Sequence, residues 1–253
     1  DNSATYVAWQ WKANGGTTTS NTDGSITSTV QADTTAGFSV VTYTGNGADT
    51  ATVGHGLGAT PKMIIFKRRD STNNWIVYHN SLTSASNFLS LNTTDAETTA
   101  SSIFDDTAPT SSVFTLGFSA AVNANTGTVV AYCFTEKQGY SSIKSYTGNG
   151  NADGPFIYTG FKPAWVMIKA TASTGGASNW RIADNKRSSS GGSNPVEKQL
   201  EANTDNAEDS GNDVDFLSNG FKVRSTAAQW NASGVSIIYM AFAEHPFVSS
   251  EGV

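Results

Sequence analysis

Two tryptophans at matching places in the chain, together with the residues that follow them, are the strongest candidates for ligand contact. These candidates are Trp75, Tyr78, His79, Trp180, Arg181 and Asp184. An indole ring can stack on a sugar, or it can fill a core with its N–H group hydrogen-bonded, and the core is favoured for the rings themselves. The neighbours of the two rings differ, so ligand specificity would diverge at these positions if they are exposed.

A second candidate is a calcium site in the acidic loop expected between residues 205 and 215. Asp209, Asp213 and Asp215 offer carboxylate oxygens, which Ca²⁺ prefers as ligands. Their spacing does not match the EF-hand pattern, and Ca²⁺ needs at least about six ligands. A solvated acidic loop is the simpler interpretation. We therefore predict no cofactor, with calcium as the alternative that these residues suggest.

The sequence lacks the motifs of the common enzyme families: the Gly-x-Ser-x-Gly elbow, the Walker loop, a cysteine pair and His-Glu-x-x-His. The acidic loop could supply the carboxylate pair of a glycosidase, and so could Glu136 and Glu244, although these two also suit simple strand ends. His55 and His79 have no histidine at the matching places of the second half. Cys133 lies in an apolar run and is expected to be a buried thiol. We predict that the protein is not an enzyme.

The elements that must position these residues occur twice in the chain. The sequence Tyr-Thr-Gly-Asn-Gly at residues 43–47 recurs at residues 146–150, and further matches keep their order at offsets of 102 to 108 residues. These matches pair 61–67 with 163–169, 74–77 with 179–182, 117–118 with 220–221, and 130–136 with 238–244. We infer a tandem duplication of one unit.

Short apolar runs separated by turn residues predict strands, and no segment has a convincing helical period. The apolar run from Met63 to Phe66 predicts a central strand covered on both faces. The repeated Gly-Asn-Gly predicts a hairpin or tight loop. The predicted fold is all-β: two tandem antiparallel β-sandwich modules, jelly-roll-like, at residues 37–138 and 139–253.

Residues 1–36 are predicted to hold a strand at 6–12, followed by a linker at 14–23, and the alternating pattern at residues 26–30 suggests one further strand. This aromatic strand resembles the last strand of each module. It either closes an upstream domain or adds to an edge of the first module. The second account is favoured, because Trp9 and Trp11 need burial.

Charge and hydropathy exclude two classes of partner. The formal net charge is −6, only 14% of residues are charged, and the one cluster of basic residues is at 67–69. This composition argues against nucleic acid or an anionic membrane as partner. No apolar run approaches the length of about 20 residues that a membrane-spanning helix needs.

Several long motifs resemble a repeated module of large structural proteins of marine tailed phages. They lie at residues 37–47, 53–58, 149–156, 216–222 and 239–247. In those proteins the module follows a concanavalin-like lectin domain, whose end would look like residues 6–12. The resemblance implies a component of the virion, in a tail fibre or at the particle surface. It implies other virion proteins as partners and, by analogy with tail fibres, a homotrimer.

This setting leads us to expect non-catalytic recognition of host-surface glycans, or of a host protein, through loops on a rigid sandwich. Two alternatives stay open. A purely structural spacer predicts that Trp75 and Trp180 are fully buried. A glycan-degrading tailspike predicts two carboxylates roughly 5–10 Å apart in a cleft.

Overall fold

A computed structural model describes residues 5–175, 178–187 and 194–247, and the prediction of an all-β fold is confirmed. The first half contains β1 (Thr19–Asn21), β2 (Ser28–Asp33), β3 (Phe38–Thr44), β4 (Ala51–Gly54), β5 (Met63–Arg68), β6 (Ile76–His79), β7 (Asn87–Ser90), β8 (Thr98–Thr99), α1 (Ser101–Phe104), β9 (Val113–Leu116), α2 (Ala120–Asn123) and β10 (Thr128–Phe134). The second half contains β11 (Ser141–Thr147), β12 (Phe156–Tyr158), β13 (Pro163–Ala170), β14 (Arg181–Asp184), β15 (Val196–Glu201), β16 (Asp209–Leu217), β17 (Gly220–Val223), α3 (Ala228–Asn231) and β18 (Ser236–Ala243). None of the described helices is long and apolar enough to cross a membrane.

The described strands form two eight-stranded sheets and one two-stranded ribbon. The first sheet has the order β1-β2-β3-β10-β5-β6-β7-β8, and the second has the order β11-β18-β13-β14-β15-β16-β17-β12. Strands β4 and β9 form the ribbon. Neighbouring strands within each sheet are antiparallel.

The central strands are apolar on both faces, and each face contributes to a different core. In β5, Ile64 and Phe66 face the outer core of the first half, while Met63 and Ile65 face the second sheet. This alternation follows from the period of two residues along a strand. The prediction that β5 is a central strand is confirmed, since it lies between β10 and β6.

The second faces of the two sheets pack against each other through one shared core, which we call the seam. Its buried first-half residues are Ala13, Phe38, Met63, Ile65, Val77, Leu82, Leu89 and Phe134; those of the second half are Ile143, Trp165, Met167, Trp180, Ile182, Ile238, Met240 and Phe242. The outer face of the first sheet is covered by the β4–β9 ribbon and α1. In the second half, β16, β17 and β12 cover the outer face of β13 and β18. The molecule therefore has a core in each half and a third core between the halves.

The aromatic segment at residues 6–12 is not a strand, so that prediction is wrong. At the N-terminal end of the first sheet, β2 rather than this segment pairs with β3, with Val30 opposite Val41. Trp11 instead packs at the seam, with its ring centroid 5.4 Å from Trp165 and 6.2 Å from Phe134. Trp11 is therefore partly buried by rings from both halves rather than by strand pairing.

The two halves share one strand order, since β3-β10-β5-β6-β7 in the first sheet corresponds to β11-β18-β13-β14-β15 in the second. One proposed match shifts: Gly117 and Phe118 follow β9, whereas Gly220 and Phe221 begin β17. Phe114 is the residue that corresponds to Phe221, since both are buried in the strand before the last helix of their half. The duplication itself stays an interpretation of these matches.

Neither copy of the Tyr-Thr-Gly-Asn-Gly motif closes a hairpin. The first copy joins β3 to β4, which lie in different sheets, and the second joins β11 to β12, which are the two end strands of one sheet. A Cβ atom on Gly45 would lie 2.4 Å from the Ala124 carbonyl oxygen, so only glycine fits this crossing. The Asn46 N–H group donates to Asn123 Oδ1 at 3.0 Å. The second copy repeats this bond, with Asn149 donating to Asn231 Oδ1 at 2.7 Å.

Candidate functional site

The structure separates the six predicted ligand-binding residues into three places. Trp180, His79 and Asp184 are buried on the seam face of their strands, and Trp75 packs there while part of it stays exposed. Tyr78 is buried in the outer core of the first half, 5.7 Å from Phe104 between ring centroids. Arg181 lies at the rim of the second half. The six residues do not form one exposed surface.

Trp180 joins the two halves. Its side chain is 1% exposed, and its Nε1–H group donates to the Ser90 carbonyl oxygen of the first half at 2.9 Å. A sugar cannot stack on a ring that is covered in this way. Of the two interpretations that the sequence left open, burial in the core is observed for Trp180. Trp75 is only partly buried, so the full burial of both rings that a purely structural spacer predicts is found at Trp180 alone.

The repeated Asn-Trp motif forms the same clamp in both halves. The Trp75 N–H group donates to Asn92 Oδ1 at 2.9 Å, and the Asn92 amide donates to Asn74 Oδ1 at 3.0 Å. In the second half, Trp180 N–H donates to Asn203 Oδ1 at 2.8 Å. The Asn203 amide donates to Asn179 Oδ1, also at 2.8 Å. Sequence reasoning missed Asn92 and Asn203. Each is the second residue after a strand, β7 or β15, that pairs with the strand directly following its tryptophan.

His79 and Asp184 perform one structural role with different chemistry. They lie opposite Met63 and Trp165 in equivalent registers. The Ser81 N–H group donates to His79 Nδ1 at 3.1 Å, and Lys186 N–H donates to Asp184 Oδ1 at 2.9 Å. Each side chain therefore accepts from the backbone two residues further on, which holds the turn after its strand.

His79 also crosses the seam. Because Nδ1 accepts from Ser81, Nε2 carries the proton, and it faces the Tyr239 carbonyl oxygen at 3.4 Å. Burial lowers the pKa of His79 to about 4, against the opposing effect of that carbonyl. The imidazole is neutral at pH 7, and it is placed as a hydrogen-bonded core group.

Asp184 forms an ion pair with Arg187, whose Nε–H group donates to Oδ2 at 2.5 Å. The Arg187 guanidinium lies 5.6 Å from the centre of the Trp9 ring. A cation at this distance attracts the ring face. The buried carboxylate therefore positions the cation that holds the N-terminal segment against the second half.

Lys169 is a buried cation that sequence reasoning missed. Its Nζ donates to the carbonyl oxygen of Ala170 at 2.9 Å, to Ser178 Oγ at 3.3 Å and, across the seam, to the Thr94 carbonyl oxygen at 3.5 Å. Burial lowers its pKa to about 8, against the attraction of Asp95. The sequence feature that could have identified it is its position in β13: it lies on the seam-facing side of the strand, where its neighbours Trp165 and Met167 are apolar.

Arg181 and Glu201 form a surface network with Asp209. Arg181 lies 2.5 Å from an Asp209 oxygen through Nη1 and 3.2 Å from a Glu201 oxygen through Nη2. Burial alone would raise the pKa of Glu201, but hydrogen bonds from Asn206, Thr204 and Asn179 and the charge of Arg181 lower it overall. The network holds both carboxyl groups in fixed positions.

The three predicted calcium ligands lie on strand β16 rather than on a loop. Asp209 pairs with Arg181, Asp213 accepts from Gln199 Nε2 at 2.6 Å, and Asp215 lies 3.3 Å from Arg224. Among the described residues, no group of three or more His, Cys, Asp or Glu side chains could hold a metal.

The other groups considered for catalysis have structural partners. Glu244 lies 2.9 Å from Lys162 and 3.2 Å from Lys186; burial acts to raise its pKa, and these two lysines lower it overall. Glu136 lies 3.2 Å from Lys144. Burial raises the pKa of Cys133 to about 12, so its thiol stays protonated.

Two comparisons with known proteins find no relative, and one finds a family. No curated protein and no solved structure matches this chain. The match that exists covers residues 1–246, which include both halves and the seam. The chain belongs to the family DUF7483, which is described as a domain of unknown function.

Proposed function

We propose that this chain is a non-catalytic structural module of a tailed-phage virion, in a tail fibre or another protein of the particle surface. The phage setting is supported by the resemblance of the motifs at residues 37–47, 53–58 and 239–247. The structural role is supported by the way the two sheets are joined. A module of this kind has to keep its shape while neighbouring parts of the particle pull on it.

The proposal rests mainly on the burial of Trp180 between the two sheets. The residue type best suited to stack on a sugar is covered by both sheets, and its N–H group bonds Ser90 in the other half. His79 and Lys169 add two more polar contacts across the seam, to Tyr239 and Thr94. A single apolar core with hydrogen bonds across it favours one rigid unit over two halves that move independently.

The carboxyl groups support a role without turnover. The proton donor of a glycosidase needs a raised pKa, so that it is protonated near neutral pH. The pKa values of Glu201 and Glu244 are lowered by their hydrogen bonds and by nearby cations, although burial acts in the opposite direction. These groups suit ion pairs better than acid catalysis.

A second candidate function is weak recognition of host-surface glycans at Trp75. Unlike Trp180, this residue keeps part of its surface open, and Lys67 Nζ lies 5.8 Å from its ring centre. A ring beside a cation and amides has the composition of a sugar-binding surface. Many copies on one particle would strengthen weak single contacts.

Two experiments test these proposals. Immunogold labelling of purified phage particles, with antibodies against this chain, is expected to mark the tail or the particle surface. Label that stays in the lysate and never on particles would refute the virion role. A glycan array with the purified chain then separates the candidates: no specific signal supports the structural role, whereas a signal that Trp75→Ala abolishes and Trp180→Phe preserves supports glycan recognition.

A further inference from the structure

Strand β12 presents two aromatic side chains to solvent at the end of the second sheet. Phe156 is 45% exposed and Tyr158 is 63% exposed, whereas Ile157 between them is buried in the outer core. The strand pairs with β17, with Phe156 opposite Lys222 and Tyr158 opposite Gly220. Within the described residues, its other side has no neighbouring strand. An exposed apolar edge of this kind can pair with another chain.

The backbone groups of the two aromatic residues point to this open side. The Pro155 carbonyl oxygen accepts from Val223 N–H at 3.0 Å, and Thr159 N–H donates to the Asn219 carbonyl oxygen at 3.0 Å. Backbone groups alternate in direction along a strand, so those of Phe156 and Tyr158 point away from β17. The edge therefore presents two donors and two acceptors in the plane of the sheet.

The corresponding edge of the first half is already covered by chain. Strand β4 lies against β9 as β12 lies against β17, with Val53 opposite Phe114. Ile26 forms a parallel bridge with Val53, and its N–H group donates to the Thr52 carbonyl oxygen at 2.9 Å. Gly24 permits this approach, since a Cβ atom there would lie 2.4 Å from the same oxygen. The fold thus accepts an additional extended segment at this position.

Among the residues that the structure describes, the second half has no such covering segment. Only residues 135–140 connect β10 to β11, whereas residues 22–27 and β2 precede β3 in the first half. The opposite end of the sheet, β11, carries Lys144, which is 3.2 Å from Glu136. Lysine on an edge strand discourages pairing with other chains.

Strand β12 lacks this protection and is nearly neutral. No charged residue occurs from 154 to 161. The nearest charges, Lys222 and Asp153, neutralise each other at 2.7 Å. An identical edge can therefore approach without repulsion between like charges.

We propose that β12 binds β12 of a second copy of this chain, antiparallel, about a two-fold axis at Ile157. In this register Phe156 lies opposite Tyr158 of the partner subunit, and the outward backbone groups of both strands exchange about four hydrogen bonds. The aromatic rings meet as cross-strand pairs, which stabilise antiparallel sheets. The same patch serves both subunits, as a two-fold interface requires, and the two large sheets become continuous.

This pairing is independent of the virion role and differs from the homotrimer that tail-fibre analogy suggests. Sedimentation equilibrium of the full chain over a wide concentration range is expected to show a monomer–dimer equilibrium with a subunit mass of 26.5 kDa. Tyr158→Lys should weaken the dimer about tenfold or more, because it removes both aromatic pairs and adds two like charges. Circular dichroism of the variant should be unchanged, since the side chain is exposed.

Phe118→Lys is the matched control, because Phe118 is 59% exposed on the first half and lies away from β12. It should leave the dimer intact. In addition, the double variant Phe156→Cys with Tyr158→Cys should form a disulfide-linked dimer on mild oxidation, while the buried Cys133 does not react. A monomer at every concentration, a trimer, or a dimer that Tyr158→Lys does not weaken would overturn the proposal.

Discussion

The buried histidine of the seam gives the stability of this protein a specific dependence on pH. His79 is 1% exposed, and its pKa falls from 6.5 to about 4 because burial disfavours the imidazolium. Between pH 4 and pH 6.5, His79 binds a proton in the unfolded chain but not in the folded chain. Stability is therefore complete above pH 6.5 and is lost as the pH falls towards 4.

The size of the effect follows from the two pKa values of His79. One pKa unit corresponds to roughly 1.4 kcal/mol, so the whole window corresponds to about 3 kcal/mol. By pH 5, about 2 kcal/mol of the free energy of unfolding should be lost relative to pH 7. Burial also lowers the pKa of His55, which adds a loss of the same sign.

Urea unfolding at pH 7, 6 and 5 measures this loss, with His79→Asn as the test variant. The asparagine oxygen can still accept from Ser81 N–H, but it does not titrate. We expect the variant to be less stable at pH 7 and to lose about 2 kcal/mol less than the wild type on going to pH 5. His245→Asn, at an exposed histidine, is the control and should keep the wild-type slope. Equal slopes in His79→Asn and the wild type would refute the reasoning.

Three further predictions concern the cores. Trp180→Ala should lower the free energy of unfolding by about 3–5 kcal/mol and Trp75→Ala by clearly less, because only the first ring is fully buried; urea unfolding of both variants checks this. Tyr43→Phe and Tyr146→Phe should each cost about 1 kcal/mol, since each hydroxyl donates to a backbone oxygen at 2.7 Å; equal stability to the wild type would contradict the assignment. Cys133 should resist a thiol reagent at pH 8 in the folded protein and react fully in urea, because burial raises its pKa to about 12; rapid labelling of the native chain would show that it is accessible.

The strands of this fold could be predicted because their apolar residues follow simple periods. Met63 to Phe66 indicates a strand covered on both faces, and the structure places β5 at the centre of its sheet. The pattern does not say what covers each face. The seam therefore could not be predicted: an apolar face looks the same whether its own module or a second sheet lies on it.

The acidic stretch shows where local preference fails. Aspartate, glycine and asparagine between residues 209 and 213 are depleted in strands, so the sequence predicts a loop. The structure places them in β16, between β15 and β17. Val214 and Phe216 supply the reason, because both are buried in the outer core and draw the segment into the sheet.

The sequence predicts which residues belong to the candidate site, but it does not predict what surrounds them. The sequence identifies Trp75 and Trp180 as equivalent, and the structure gives both the same asparagine clamp. The neighbours His79 and Asp184 look like divergent specificity residues, yet each accepts from the backbone two residues on. One role can be performed by an imidazole or a carboxylate, and sequence alone cannot reveal that equivalence.

Differential scanning calorimetry tests most directly whether the two halves share one core. If the seam joins them, the chain should unfold in a single transition, with equal calorimetric and van't Hoff enthalpies. At about 0.7 kcal/mol per residue near 60 °C, that enthalpy should be about 180 kcal/mol for the whole chain. Two resolved transitions, or a van't Hoff enthalpy near half the calorimetric one, would contradict the account.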